Sequence, residues 1–121
     1  MTGDMQFAEP GVPADLTACV KDLWDDVVAA GPYAFVKLAH HGSHNGSPAD
    51  IATALGSAAF GLCTGVDSGH HPSCAVIDAL ARSAGVRWIR TDRNGPSDAT
   101  VRATGVDLAI TTGELSDPAC H

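Results

Sequence analysis

Apolar positions in the first quarter of the chain recur at helical spacing. Leu16, Cys19, Val20, Leu23, Trp24, Val27 and Val28 fall at i, i+3, i+4, i+7, i+8, i+11 and i+12, one face of an amphipathic helix. Pro13 near its start and Gly31 just past its end punctuate it. Residues 33–39 then read as a short strand. Ser47 and Pro48 look like an N-cap followed by proline at the first helical position, so a short helix is predicted up to Leu55 and closed by Gly56. Residues 58–64 predict a second, buried strand, and residues 65–72 a loop rich in turn residues. A third helix is predicted over 73–84 and stopped by Gly85, followed by a strand over 86–91 and a turn over 92–96. Two last strands, 100–104 and 107–111, would form a hairpin around Gly105, and residues 113–121 would trail as a loose C-terminal tail.

Helix and strand alternate through most of this pattern, which is an α/β layer arrangement. Polar residues gather just past the predicted strands. His40 and His41 follow the first, Asp67, His70 and His71 the second, and Asp92 the third. Loops at the C-terminal ends of strands in an open α/β sheet share one edge, where ligands usually bind. The histidines and acids are therefore expected to converge.

Composition narrows the reading. The 121 residues suit one domain or part of one, and 45% hydrophobic with 17% charged residues is a globular balance. A net charge of −7 repels nucleic acid non-specifically, so such a substrate would need a local site or a metal to hold it. No apolar run approaches the roughly 20 residues that span a bilayer. The first residues carry neither a basic nor an apolar leader segment. Cys19, Cys63, Cys74 and Cys120 include no CxxC pair. Their spacing gives no support to a cysteine zinc site, and they are expected to be reduced core thiols of a cytoplasmic protein.

Three of the six histidines stand in five positions, His40, His41 and His44, directly after an apolar strand. Neutral imidazole is the commonest nitrogen ligand for zinc and similar ions. The plainer alternative is that these rings cap a strand end and bond to loop backbone. Adjacent residues of a strand point to opposite sides, so at most one of His40 and His41 is expected to be a direct ligand. The other would serve behind it or on the substrate side.

The segments VKLAHHGSHNG (36–46), GHHPSCAVIDAL (69–80) and VRWIRTDRNG (86–95) resemble the closing half of a metallo-β-lactamase-fold hydrolase. The group most similar is the one containing the competence protein ComEC, with its HHGS, GHP and RTD elements in that order. The opening MTGDMQF resembles the family's TGD element. The resemblance covers residues 1–112, taken as a C-terminal half-domain of an αββα sandwich. It implies Asp4 as a carboxylate bridging two metals, and His41, with His40 as runner-up, as the last metal ligand. Ser43 and His44 would lie on the substrate side, with His70, His71 and Asp92 there or behind the ligands. The implied activity is hydrolysis of a phosphodiester or other ester by a water activated at a divalent metal, most simply zinc.

The chain departs from that family where it matters most. The principal metal motif, HxHxDH, is absent, because no histidine precedes His40. Zinc sites normally take three or four protein ligands. The chain alone is therefore expected to be inactive, with the missing ligands on an N-terminal half, another chain or a second copy in a homodimer. The alternative is a degenerate, non-catalytic half-domain acting as a binding or interaction module. A half-sandwich is also expected to leave one apolar sheet face bare and prone to association.

Overall fold

The computed structural model describes residues 6–8, 14–66 and 68–120. Asp4, Asp67 and His121 lie outside the described residues. The chain is mixed α/β. Its elements run α1 (Ala14–Ala29), β1 (Val36–Lys37), α2 (Ile51–Leu55), β2 (Ala59–Leu62), α3 (Cys74–Arg82), β3 (Arg87–Arg90), α4 (Thr91–Asn94), β4 (Asp98–Arg102) and β5 (Gly105–Ala109).

β1, β2 and β3 form a parallel sheet in that order, with Val36, Phe60 and Trp88 in one row. Parallel neighbours need crossovers, and right-handed crossovers in one direction put α2 and α3 on the same face. The core confirms this packing. Ile51, Ala52 and Leu55 of α2 and Val76, Ile77 and Leu80 of α3 pack with Val36, Leu38, Phe60, Leu62 and Trp88. Side chains such as Phe60, Leu62 and Leu80, fully buried here, contribute about 1.5–3 kcal/mol each relative to exposure.

The opposite sheet face is not bare. Ala59 and Ile89, which point there by alternation, are buried. Gly61 is glycine because the Phe35 ring lies over it: a Cβ would come within 2.6 Å of Phe35 Cζ. The expectation of an open apolar face is corrected on that ground.

α1 follows its predicted span, but its apolar stripe is only partly covered. Trp24, Val27 and Val28 pack against the core, whereas Leu16 and Leu23 are exposed. The terminal hairpin is displaced from the expected register. Arg102 pairs with Gly105, so Ala103 and Thr104 make the turn and Gly105 opens β5.

The C-terminal residues are not a loose tail. Ser116 N–H donates to the Trp88 carbonyl at 2.9 Å, and Trp88 N–H donates to Ser116 Oγ at 3.1 Å. Asn94 Nδ2 donates to the Glu114 carbonyl at 2.8 Å. The buried Arg90 guanidinium donates to the Ala119 carbonyl at 2.6 Å. Cys120, brought back this way, is disulfide-bonded to Cys74 with the Cα atoms 5.5 Å apart. That pairing corrects the expectation of four reduced core thiols. The two unpaired ones, Cys19 and Cys63, are exposed rather than buried. The cytoplasmic assignment thereby loses its cysteine argument, since structural disulfides belong to oxidising compartments. Among the described residues, no helix is long and apolar enough to cross a membrane.

Candidate metal centre

β1 ends early because the backbone turns left-handed. His40 has φ 45° and ψ 48°, His41 φ 55° and ψ 23°, and Gly42 φ 77°. For a residue with a Cβ this region costs about 1–2 kcal/mol. Two such residues in succession are held only where surrounding contacts over-determine them, and such strain gathers at functional sites. Here Ser43 N–H donates to the His40 carbonyl at 2.9 Å, and Ser73 N–H to the Gly42 carbonyl at 2.9 Å. Gly42 itself admits no side chain: besides its φ, a Cβ would lie 2.7 Å from Leu62 Cδ2.

This turn changes which rings meet. The alternation of a strand, which would send His40 and His41 to opposite sides, does not apply to it. Their ring centroids are 6.4 Å apart, and His71 lies 5.4 Å from His40 and 6.2 Å from His41. The alternation argument for separating the two rings therefore falls: both rings and His71 share one cluster. His71 enters it from the loop after β2, immediately before a cis Pro72.

Each ring is oriented from behind. His41 Nδ1 donates to the Cys63 carbonyl at 2.6 Å, and His40 Nδ1 to Asn45 Oδ1 at 3.0 Å. A carbonyl oxygen only accepts, so the proton sits on Nδ1 and the lone pair of each neutral ring on Nε2. Metal-binding histidines are commonly fixed in this manner. His71 Nδ1 is buried with no hydrogen-bond partner among the described residues. Burial first, then the charges of His40, His41, His70 and His44, hold the His71 pKa below its ordinary 6.5. It is thus a neutral imidazole near pH 7, the form that ligates.

The three loops at this sheet edge are knitted together. Thr64 Oγ1 donates to the His71 carbonyl at 2.9 Å. Thr91 Oγ1 accepts from Thr64 N–H at 2.8 Å and donates to the Thr64 carbonyl at 2.6 Å. Asn45, Thr64 and Thr91 were not singled out by the sequence, where nothing distinguishes them from ordinary loop residues. Ser43 is buried and donates to Asn45 Oδ1, so it braces the oxygen that orients His40. His44 and His70 are exposed.

Asp92 is occupied elsewhere. Its carboxylate takes a two-pronged bond from Arg90, Nε–Oδ1 3.0 Å and Nη2–Oδ2 2.6 Å, with both side chains nearly buried. It holds the strand end and, through Arg90, the C-terminal residues.

The donor chemistry of His40, His41 and His71 fits one divalent ion in kind. Among the described residues, no group of three ligating side chains is already positioned to hold an ion. The segment 6–8 reaches this edge, with Ala8 N–H donating to the Asn45 carbonyl at 2.9 Å. Comparison of the chain with family models, with curated proteins and with solved structures gave no match.

Proposed function

We propose that this chain is part of a metal-dependent hydrolase of the metallo-β-lactamase type, a C-terminal half of its αββα sandwich. The substrate is a phosphodiester or another ester, and zinc is the candidate ion. The observation that carries the reading is the left-handed turn that gathers His40 and His41 beside His71 at the C-terminal edge of a parallel sheet. The HHGS turn, the loop carrying His71-Pro72 and the β3–α4 junction carrying Arg90-Thr91-Asp92 meet at that edge, which supports the resemblance noted in the sequence.

The ion would be held by His40, His41 and His71, with Asp4 as a further ligand. It would supply Lewis acidity and water activation. The chain's own contribution is orientation. Asn45 and the Cys63 carbonyl fix two rings, and burial keeps the third neutral. The ligand count leaves the centre incomplete, so an N-terminal half or another chain carrying HxHxDH supplies the rest. A second reading is a non-catalytic binding module, favoured by the absence of HxHxDH from the sequence.

Hydrolysis of bis(p-nitrophenyl) phosphate with zinc separates the two. The chain alone should give no turnover above the metal background. Adding a half-domain that carries HxHxDH should give chelator-sensitive turnover that His41→Ala abolishes. No turnover in the mixture, with zinc retained, would favour the binding module.

A further inference from the structure

β3 uses its outward backbone groups: Trp88 N–H and the Trp88 carbonyl bond to Ser116, and Arg90 N–H donates to Asn94 Oδ1 at 2.8 Å. The hairpin is less well covered. β4 and β5 form a separate two-stranded sheet, and a lone hairpin is marginally stable in water. Arg102 and Gly105 close it around a two-residue turn, so that pair is hydrogen-bonded. Bonded and non-bonded pairs then alternate along the antiparallel ladder. The backbone groups of Arg102, Thr100 and Asp98 therefore point to β5, and those of Ala99 and Val101 point to the outer edge of β4. The same alternation turns the Val106 groups outward on the β5 side, where the Val106 carbonyl accepts from Arg87 Nη2 at 2.7 Å.

The outer edge of β4 has no such cover. Among the described residues, no hydrogen bond outside the hairpin reaches the Ala99 or Val101 backbone. Val101 is 57% exposed, and Asp98, Thr100 and Arg102 are exposed with it. An open edge of this kind is a template for another strand.

We propose that β4 pairs edge to edge with β4 of a second copy, antiparallel about a twofold axis at Thr100, joining the two hairpins into one sheet. The charge pattern selects this occupant. That register sets Asp98 opposite the partner's Arg102, and Arg102 opposite the partner's Asp98. Opposite charges directly across strands stabilise a pair, and like charges destabilise it. Ala99 falls opposite the partner's Val101, so the outward N–H and carbonyl groups of both strands are satisfied and Val101 is covered. Thr100 meets the partner's Thr100, a favourable pair. Asp98 and Arg102 cancel, which leaves this edge neutral on a chain of net charge −7. β5 lacks this complementarity: a twofold at its centre would oppose two Asp107 carboxylates. The pairing does not rest on the hydrolase reading.

Sedimentation of the full chain, with the exposed Cys19 and Cys63 alkylated to prevent intermolecular disulfides, should show a concentration-dependent dimer at up to about 1 mM. Asp98→Arg and Arg102→Asp should each weaken it about tenfold or more, because each opposes like charges at both ends of the paired strands. Both positions are exposed and the Arg102–Asp107 ion pair is solvated, so circular dichroism should show the fold retained. Mixed in equal amounts, the two variants recover every opposite-charge pair and should form a heterodimer. In a Cys19→Ser, Cys63→Ser background, Thr100→Cys should oxidise to a dimer, since directly opposed residues of a non-bonded pair lie about 4.5 Å apart, within disulfide reach. A monomer throughout, a dimer that both charge reversals leave intact, variants that do not associate with each other, or no cross-link at Thr100→Cys would overturn the inference. So would a half-domain carrying HxHxDH that occupies this edge while the chain alone stays monomeric.

Discussion

His41 Nδ1 donates to the Cys63 carbonyl across 2.6 Å, tying the end of β1 to the end of β2. The bond is made possible by the left-handed turn at His40, His41 and Gly42. Gly42→Ala should break it. The substitution adds about 1–2 kcal/mol of backbone strain and a clash with Leu62 Cδ2 at 2.7 Å. The expected outcome is a folded but destabilised chain in which the His41 ring resonance loses its hydrogen-bonded shift, read by NMR. An unchanged His41 resonance would mean that the turn does not position the ring.

Arg90 and Asp92 form a buried pair that also anchors the C-terminal residues through the Ala119 carbonyl. Asp92→Ala leaves a guanidinium without its counter-charge, a change that costs about 3–5 kcal/mol in buried pairs. The melting temperature should drop sharply, and protease cleavage near residues 115–120 should quicken. A near-neutral substitution would show that the pair is solvated in solution.

The Cys74–Cys120 disulfide spans 46 residues. By loop entropy it is worth about 4 kcal/mol, with measured values commonly about 2–4 kcal/mol. Cys120→Ser, or a dithiol reductant, should lower chemical-denaturation stability by that amount. Intact mass after alkylation should show two reactive cysteines before reduction and four after. Four reactive cysteines in the untreated protein would contradict the pairing.

Local signals carried most of the element order. Gly56, left-handed with φ 59°, closes α2 where a helix stop was read, and Ser73 opens α3 as expected. What local pattern could not carry was set by distant contacts. The residues at Ala103 and Thr104 carry no Asn-Gly-type hairpin signal, so local pattern places the turn two residues late. The period-2 rule sent His40 and His41 apart, and the left-handed backbone that unites them has no marker in the sequence beyond Gly42. Arg90 reads as an ordinary charged strand residue until its partners at Asp92 and Ala119 are seen. Cys74 and Cys120 are too far apart for their spacing to announce a bond.

Burial and neighbouring cations hold the His71 pKa below 6.5. Above that pH the ring is neutral in both folded and unfolded chains and adds no pH dependence. As pH falls below 6.5 the unfolded chain takes up the proton first, so stability falls until the folded-state pKa is passed. Thermal melts should show this decline below pH 6.5, and His71→Gln should flatten part of it. Equal slopes for the two proteins would contradict the His71 assignment.

The central claim is that His40, His41 and His71 form one metal-binding cluster. Zinc titration of the metal-free chain by calorimetry, repeated with His40→Ala, His41→Ala and His71→Ala, tests it directly. The account predicts one weakly held ion per chain, with each substitution weakening binding about tenfold or more. Two tightly held ions per monomer, or a binding site indifferent to all three histidines, would contradict it.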